Sequence, residues 1–437
     1  MPSIEIKIEK LIYGGDGLAH HDGATVFVPF VMSDERVLVE PIEQKKKFVR
    51  ARVNQLIEAS PNRTPPRCKH FGVCGGCNYQ HIPYDSQLPI KTEILRETLR
   101  RIGHVDWQGE ITTHASPPWG YRNRAQWKVR PIPDASTGSS ASESSRLAIG
   151  YFRANSTALC PIEDCAILSP PLLQAFHALR EGLASGAFPR QLREVEVFAA
   201  PGEGSNSPLL LTATFAGFPS RIGEHAGKIR ATVPGLESVL LHDPGHERME
   251  LLGPGFIEYR VNNVAYRVGH FSFFQVNDFL VQSLVDESVG REDHGRIAFD
   301  LYAGVGLFSV PLAERFERVV AVEANPAAAR DLTTNTRANG AIEVRASDVE
   351  EFLARCKESP ELVVLDPPRA GLSPGAAERL AHLAPQRMNY VSCEPPTLAR
   401  DLAALQKLGY EISAIHLFDL FPQTFHMEVV VRLTRHQ

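Results

Sequence analysis

The chain has 437 residues, of which 43% are hydrophobic and 22% charged, and its formal net charge is -5. That length suffices for two or three domains with separate cores, and no apolar run reaches the roughly 18 residues of a membrane-spanning helix. The charge is uneven: Glu43 to Arg130 holds 16 basic against 7 acidic residues, +9, which leaves -14 for the rest, so a polyanion-binding face is expected in the N-terminal third.

The first sixty residues alternate apolar and polar positions in IEIKIEKLI, TVFVPFV and RVLVEPI, with turn signals at Gly14-Gly15-Asp16-Gly17 and Asp22-Gly23. Short strands at this spacing predict a small β-barrel over residues 1–60. Lys45, Lys46, Lys47, Arg50 and Arg52 lie on or beside its last strands, and a small barrel with a basic rim is a frequent nucleic-acid binder. The opening MPSIEIKIEK carries charges instead of an apolar core. A cytoplasmic protein in a reducing compartment is therefore expected, with free thiols and no disulfides.

Cys68, Cys74 and Cys77 form a C-x5-C-x2-C run in RCKHFGVCGGC, and Cys165 lies far downstream in DCAIL. Four thiolates converging from a tight loop and one distant partner suit a tetrahedral zinc ion or an iron–sulfur cluster, and spacing alone does not choose between them. Gly72, Gly75 and Gly76 let the backbone fold closely around the sulfurs. Cys160 competes with Cys165 for the fourth position.

Residues 85–103 predict a helix, with Leu88, Ile94, Leu95, Leu99 and Ile102 near helical spacing and Gly103 after the last turn. Beyond it, Tyr121-Arg122-Asn123-Arg124 opens a strand whose arginines, next to Tyr121 and Trp127, are candidates for holding phosphate while the rings stack on bases. PDASTGSSASESSR, Pro133–Arg146, has almost no apolar content and predicts a disordered loop. Strands with one or two helices continue to about residue 270, making residues 61–270 a central β-rich domain.

From Phe271 to the C-terminus the pattern changes to alternating strands and helices, the mark of a parallel α/β sheet. Asp300, Glu323 and Asp366 end three apolar strands and Asp348 sits in a turn, which is where such sheets bind ligands. The glycine turn Gly304–Ser309 reads G-x-G-x-x-S, without the third glycine of a dinucleotide fingerprint, and Glu323 supplies a ribose-diol acceptor. A nucleoside cofactor is expected, and ATP hydrolysis is disfavoured because no phosphate-cradling Lys follows. Cys393, in NYVSCEPPTLARDL, lies between a β-branched strand and a helix start, where a dipole favours thiolate and hence a nucleophile.

Taken together, CKHFGVCGGC with Cys165, SFFQVN, DLYAGVG, AVEANP, LDPPRAG, YVSCEPPTLARD and the terminal FPQTFHMEVVV resemble the RNA uridine C5-methyltransferases, specifically the iron–sulfur, TRAM-domain ribosomal RNA type, over the whole chain. The resemblance implies α/β and β multidomain architecture: a TRAM barrel at 1–60, a central domain with a 4Fe-4S site at 61–270 whose helix 85–103 packs on the catalytic domain, and a Rossmann-like S-adenosylmethionine-dependent methyltransferase domain at 271–437. It makes Cys393 the thiolate that adds to uracil carbon 6, Glu428 the base that removes the carbon 5 proton, and Asp366 a carboxylate at the uracil edge and cofactor. Gln275, Tyr302, Glu323 and Asp348 become cofactor contacts, Phe273 packs near a flipped base, and Cys68, Cys74, Cys77 and Cys165 hold the cluster, with CAILSP favouring Cys165 over Cys160. The implied partner is RNA, most simply large-subunit ribosomal RNA with transfer RNA as the alternative, acted on by a monomer with no membrane role.

Glu394 and Pro396 depart from the family's SCNPATLARD, and a Glu394 aimed at the sulfur would raise the acidity constant of Cys393. Two other classes compete: an iron–sulfur oxidoreductase, against which the broken fingerprint at Ser309 argues, and a non-catalytic RNA-binding protein, which would leave Cys393 and Glu428 idle.

Overall fold

The computed structural model describes residues 3–133, 145–202, 207–290 and 293–436. The N-terminal strands form a six-stranded sheet in the order Ile4–Lys7, Arg36–Gln44, Phe48–Glu58, Ala24–Pro29, Asp16–His21, Lys10–Leu11. Its two edge strands are separated in the chain only by Ile8 and Glu9, so the sheet curves back on itself. Alternating residues such as Ile6, Val26, Val28, Val37 and Val39 fill its interior, as the period-two pattern requires.

A seven-stranded sheet follows in the order Leu159–Pro161, Ser145–Phe152, Arg124–Pro133, Leu192–Ala199, Leu209–Phe215, Leu236–Asp243, Arg248–Leu252. Helices Pro170–Ala184 and Ile222–Thr232 pack into its core. The loop expected over Pro133–Arg146 lies outside the described residues except at its ends, which belong to the two strands it joins.

The C-terminal sheet has eight strands in the order Ile342–Arg345, Phe316–Val322, Gly295–Leu301, Leu362–Leu365, Arg387–Ser392, Glu428–Arg435, Tyr410–Phe418, Ile111–His114. Glu428–Arg435 runs antiparallel to both neighbours, and the other ladders are parallel. The last strand comes from far upstream, and helix Tyr84–Gly103 packs on helix Pro395–Lys407. Residues 84–114 therefore side with the C-terminal sheet. Gly103 does not cap its helix: His104 takes the left-handed conformation, with φ 54°. A Cβ on Gly103 would stand 2.4 Å from the Ala399 carbonyl oxygen, so this glycine permits the close approach of the two helices. Hairpin Phe256–Val261/Val264–Gly269 forms a separate two-stranded sheet tied to helix Pro326–Thr336, where Asp331 accepts from the Gly269 N–H at 2.7 Å and the Ser272 hydroxyl at 2.6 Å. Among the described residues no helix is long and apolar enough to cross a membrane.

Candidate functional site

Strand order sets the site. Parallel strands Gly295–Leu301, Leu362–Leu365 and Arg387–Ser392 are adjacent, so the residues leaving their carboxyl ends, Tyr302, Asp366 and Cys393, share one edge of the sheet. Antiparallel pairing of Ser392 with Val429 then brings the start of Glu428–Arg435 to the same edge, and Glu428 is only 5% exposed. The loop after Asp366 is held by the helix that follows Cys393. Asp401 accepts from the Leu372 N–H at 2.7 Å and the Tyr390 hydroxyl at 2.7 Å, while Arg400 donates to the carbonyls of Ala370 and Leu372. Gly371, at φ +75°, leaves room for that helix, since a Cβ there would lie 2.4 Å from an Asp401 oxygen.

Electrostatics bind these groups into one unit. Burial, then the Asp300 carboxylate, pushes Asp366 up to about 7. Burial, then Asp366, raises Glu428 well above the usual carboxylate range, with Arg369 opposing. Burial, then Glu428 and Asp366, pushes the Cys393 thiol up to about 12, while Arg369 hydrogen-bonds to it and draws it down. The thiolate expected from the helix start is thus not favoured in the free protein, because desolvation and two carboxylates outweigh the dipole. The Glu394 carboxylate is turned to the Tyr13 hydroxyl at 3.0 Å. Arg369 escaped the sequence reading although it stands in LDPPRAG, three residues after Asp366.

Three of the cofactor candidates, Glu323, Tyr302 and Asp348, gather around the glycine turn. Glu323 follows its strand and accepts from the Gly304 N–H at 2.8 Å and the Asn325 N–H at 2.6 Å. Tyr302 takes a left-handed φ of 64° with its hydroxyl 3.5 Å from Glu350. Asp348 caps helix Val349–Arg355 through the N–H groups of Glu350 and Glu351. Gln275 is buried in the segment after the hairpin, where its carbonyl and the Asp278 carboxylate both accept from the Asn123 side chain. Phe273 in the same segment is 64% exposed, so it is not a core residue.

Cys68, Cys74, Cys77 and Cys165 line one cavity of about 310 Å³ with Arg122, Phe421 and His426, and all four thiols are free. Burial comes first in raising Cys74 and Cys77 to about 12 and Cys165 to about 11. Gly76 hydrogen-bonds to Cys74, Gln80 to Cys77, and Ile167 and Leu168 to Cys165. The sulfurs of Cys74, Cys77 and Cys165 are thus desolvated, each with hydrogen-bond donors aimed at it. Among the described residues no set of three or more side chains is gathered as for a single metal ion. Cys160 instead pairs with Tyr151 in a strand and packs into the central core.

The proposed stacking rings are corrected. Tyr121 and Trp127 are fully buried: Tyr121 donates to the Pro422 carbonyl at 2.9 Å and Trp127 packs on Phe176. Arg124 and Lys128 are engaged by Glu196 and Glu194 of the neighbouring strand. A strand at the centre of a sheet spends its aromatic residues on the core. Lys45, Lys46 and Lys47 remain exposed.

The segment before Glu428 connects the cysteine cavity to the carboxylate pair. Phe421, Thr424 and His426 line the cavity. Lys91, fully buried, donates to Asp419 at 2.6 Å and to the carbonyls of Phe421 and His426 at 3.2 and 2.7 Å. Gln87 and Gln423 exchange hydrogen bonds at 3.1 and 2.9 Å. A lysine and a glutamine in an amphipathic helix give no sequence signal for this role.

An open parallel sheet with one antiparallel strand, a glycine turn and carboxylates along its carboxyl edge defines the methyltransferase class of α/β proteins. The tRNA (Uracil-5-)-methyltransferase family profile matches residues 257–436. The chain is 34% identical over 440 residues to the 23S rRNA (uracil(1939)-C(5))-methyltransferase RlmD of Klebsiella pneumoniae, covering 99% of this chain and 96% of the relative. It is 31% identical over 447 residues to an uncharacterized RNA methyltransferase of Aquifex aeolicus, covering 98% of each. The solved Pyrococcus abyssi tRNA (uracil-54, C5)-methyltransferase, in complex with S-adenosyl-L-homocysteine, superposes with a TM-score of 0.73 at 25% identity, over 99% of this chain and all of that one. The chain belongs to the RNA uridine C5-methyltransferase family and is an RNA (uracil-C5)-methyltransferase.

Proposed function

We propose that this enzyme methylates carbon 5 of a uridine in 23S ribosomal RNA through a covalent adduct with Cys393. The observation that carries the mechanism is the meeting of Cys393, Glu428, Asp366 and Arg369 at one edge of the sheet. The ribosomal target is supported by the full-length relative from Klebsiella, and transfer RNA is the second reading, favoured by the Pyrococcus structure.

Carbon 5 of uracil is a weak nucleophile. Addition of the Cys393 sulfur to carbon 6 breaks the 5,6 double bond and moves its electron pair toward the carbon 4 carbonyl, which activates carbon 5. S-adenosylmethionine, when bound, would supply the methyl group that carbon 5 takes, the electron pair of the broken sulfur–methyl bond staying on its sulfur. Gln275, Tyr302, Glu323 and Asp348 are the residues that would hold it. Glu428 then takes the carbon 5 proton, the double bond re-forms and the sulfur leaves. Asp366, held partly protonated by burial, is suited to hydrogen-bond a uracil edge. Arg369 steadies both the thiolate and the Glu428 carboxylate. The uridine must leave its stack to reach a thiol this buried, and exposed Phe273 is a ring against which it would rest.

The four cysteines would hold an iron–sulfur cluster, whose contribution would be to cross-link the loop at 68–77 to Cys165. The N-terminal sheet would serve as a TRAM-like RNA-binding module. Mass mapping of 5-methyluridine in ribosomal and transfer RNA from cells with and without the gene tests the target. Loss of the modification from 23S ribosomal RNA is expected, and its loss from transfer RNA alone would transfer the assignment.

A further inference from the structure

Tyr13 lies in the turn between strands Lys10–Leu11 and Asp16–His21 of the N-terminal sheet, yet its side chain reaches the catalytic edge. Its hydroxyl donates to the Glu394 carboxylate at 3.0 Å, and its ring meets Phe425 edge-on at 5.4 Å and 88°. Gly14 and Gly15 take φ values of +104° and +90°, and a Cβ on Gly15 would press on Asn78 and Phe425 at 3.1 and 3.2 Å. The turn thus approaches the segment before Glu428 as closely as glycine permits.

The main chain of Glu394 does not depend on this contact. Its N–H donates to Ser392 Oγ at 3.1 Å, and its carbonyl accepts from Thr397 Oγ1 at 3.0 Å and the Leu398 N–H at 3.1 Å. The Tyr13 hydroxyl touches only the side chain of Glu394. The groups facing the Cys393 sulfur are Glu428 from its strand, Asp366 and Arg369 from the loop after Leu365, and Tyr13 from the N-terminal sheet. Glu394, next to Cys393 in the chain, would become a third carboxylate there if it swung inward.

We propose that Tyr13 is a positioning residue that holds the Glu394 carboxylate away from the Cys393 sulfur, so that docking of the N-terminal sheet sets the reactivity of the catalytic thiol. Burial, then Glu394, raises the Tyr13 hydroxyl above its ordinary value, which keeps it a donor at working pH. The device matches this chain's acidic residue at a place where the resembling motif has Asn. It rests on Cys393 being the reactive thiol, but its test reads the thiol itself and not methylation.

The test is peptide-resolved iodoacetamide labelling of the full-length protein as purified, following Cys393 and, as a structural control, Cys356. Below its midpoint the labelling rate tracks the thiolate fraction. Tyr13→Phe is expected to slow Cys393 about tenfold at pH 9, as for an added carboxylate charge, and to leave Cys356 unchanged. Glu394→Asp, too short to reach Tyr13, should slow it similarly, which covers the case of a misfolded Tyr13→Phe. Adding Glu394→Gln to Tyr13→Phe should restore the native rate. Native labelling in both Tyr13→Phe and Glu394→Asp, or no rescue by Glu394→Gln, overturns the proposal. Failure of Cys393 to form an RNA adduct would overturn the catalytic reading and leave the labelling result standing.

Discussion

Cys393 and Glu428 lie just beyond the last rung of an antiparallel ladder, Ser392–Val429, where the Glu428 carboxylate acts on the Cys393 thiol. Residues separated by 35 positions in the chain become neighbours because Glu428–Arg435 inserts between Arg387–Ser392 and Tyr410–Phe418. That apposition separates two chemical roles. Cys393→Ala should abolish any covalent RNA adduct. Glu428→Gln should methylate once and stall with RNA attached, because without a base the carbon 5 proton stays and elimination cannot expel the sulfur. Denaturing gels with labelled RNA check both. Free turnover by Glu428→Gln would move the base role to Asp366.

The Asp366–Glu428 pair should make stability depend on pH. Both carboxyls are raised in the folded protein, Asp366 to about 7, against about 4 when unfolded. Between those values the native state binds more protons than the unfolded chain, so stability falls as pH rises from about 4 to about 7, by up to about 4 kcal/mol for Asp366. Glu428 extends the fall upward. Urea titrations at pH 5 and 8 should show a smaller loss for Asp366→Asn than for the native protein. Equal losses would mean that Asp366 titrates normally.

Lys91 should matter far beyond its own helix. Lys91→Met leaves Asp419 charged and unpaired in the interior, which costs about 3–5 kcal/mol, and releases the carbonyls of Phe421 and His426 next to the Glu428 strand. Pairing it with Asp419→Asn should recover part of the loss. Equilibrium unfolding measures both, and a loss below about 1 kcal/mol would show that water reaches the site.

Cys74→Ser should remove the brown colour of a bound cluster and lower thermal stability together, since the cluster would add a cross-link between the loop at 68–77 and Cys165 to the Lys69–Glu163 ion pair already there. The chemistry moves no net electrons, so reduction of the cluster should not change the rate of methyl transfer while the protein stays folded. A colourless variant with native melting and full activity would contradict the structural role.

Neutralising Lys45, Lys46 and Lys47 together should weaken RNA binding and lower the salt slope by about 2, as expected for three lost phosphate contacts on single-stranded RNA. Affinity for S-adenosylmethionine should hold. Filter binding across salt concentrations reads the slope, and an unchanged value would make this stretch an ordinary solvated surface.

The sequence by itself determined the elements and the residue types at their ends. Alternating patterns marked the N-terminal strands, the change of period at residue 271 marked the parallel sheet, and compact motifs placed Asp300, Glu323, Asp366 and Cys393 at or near strand ends. Such signals are local, written within a few residues of the group they describe. Tertiary structure alone decided what lies beside what. It turned Glu394 toward Tyr13 across 381 positions, buried Tyr121 and Trp127 instead of exposing them to bases, and set Lys91 under the segment that carries Glu428. It also reversed the expected acidity of Cys393, because a thiol's charge state depends on burial and on carboxylates brought to it by strand order, and neither is encoded in the residues next to it.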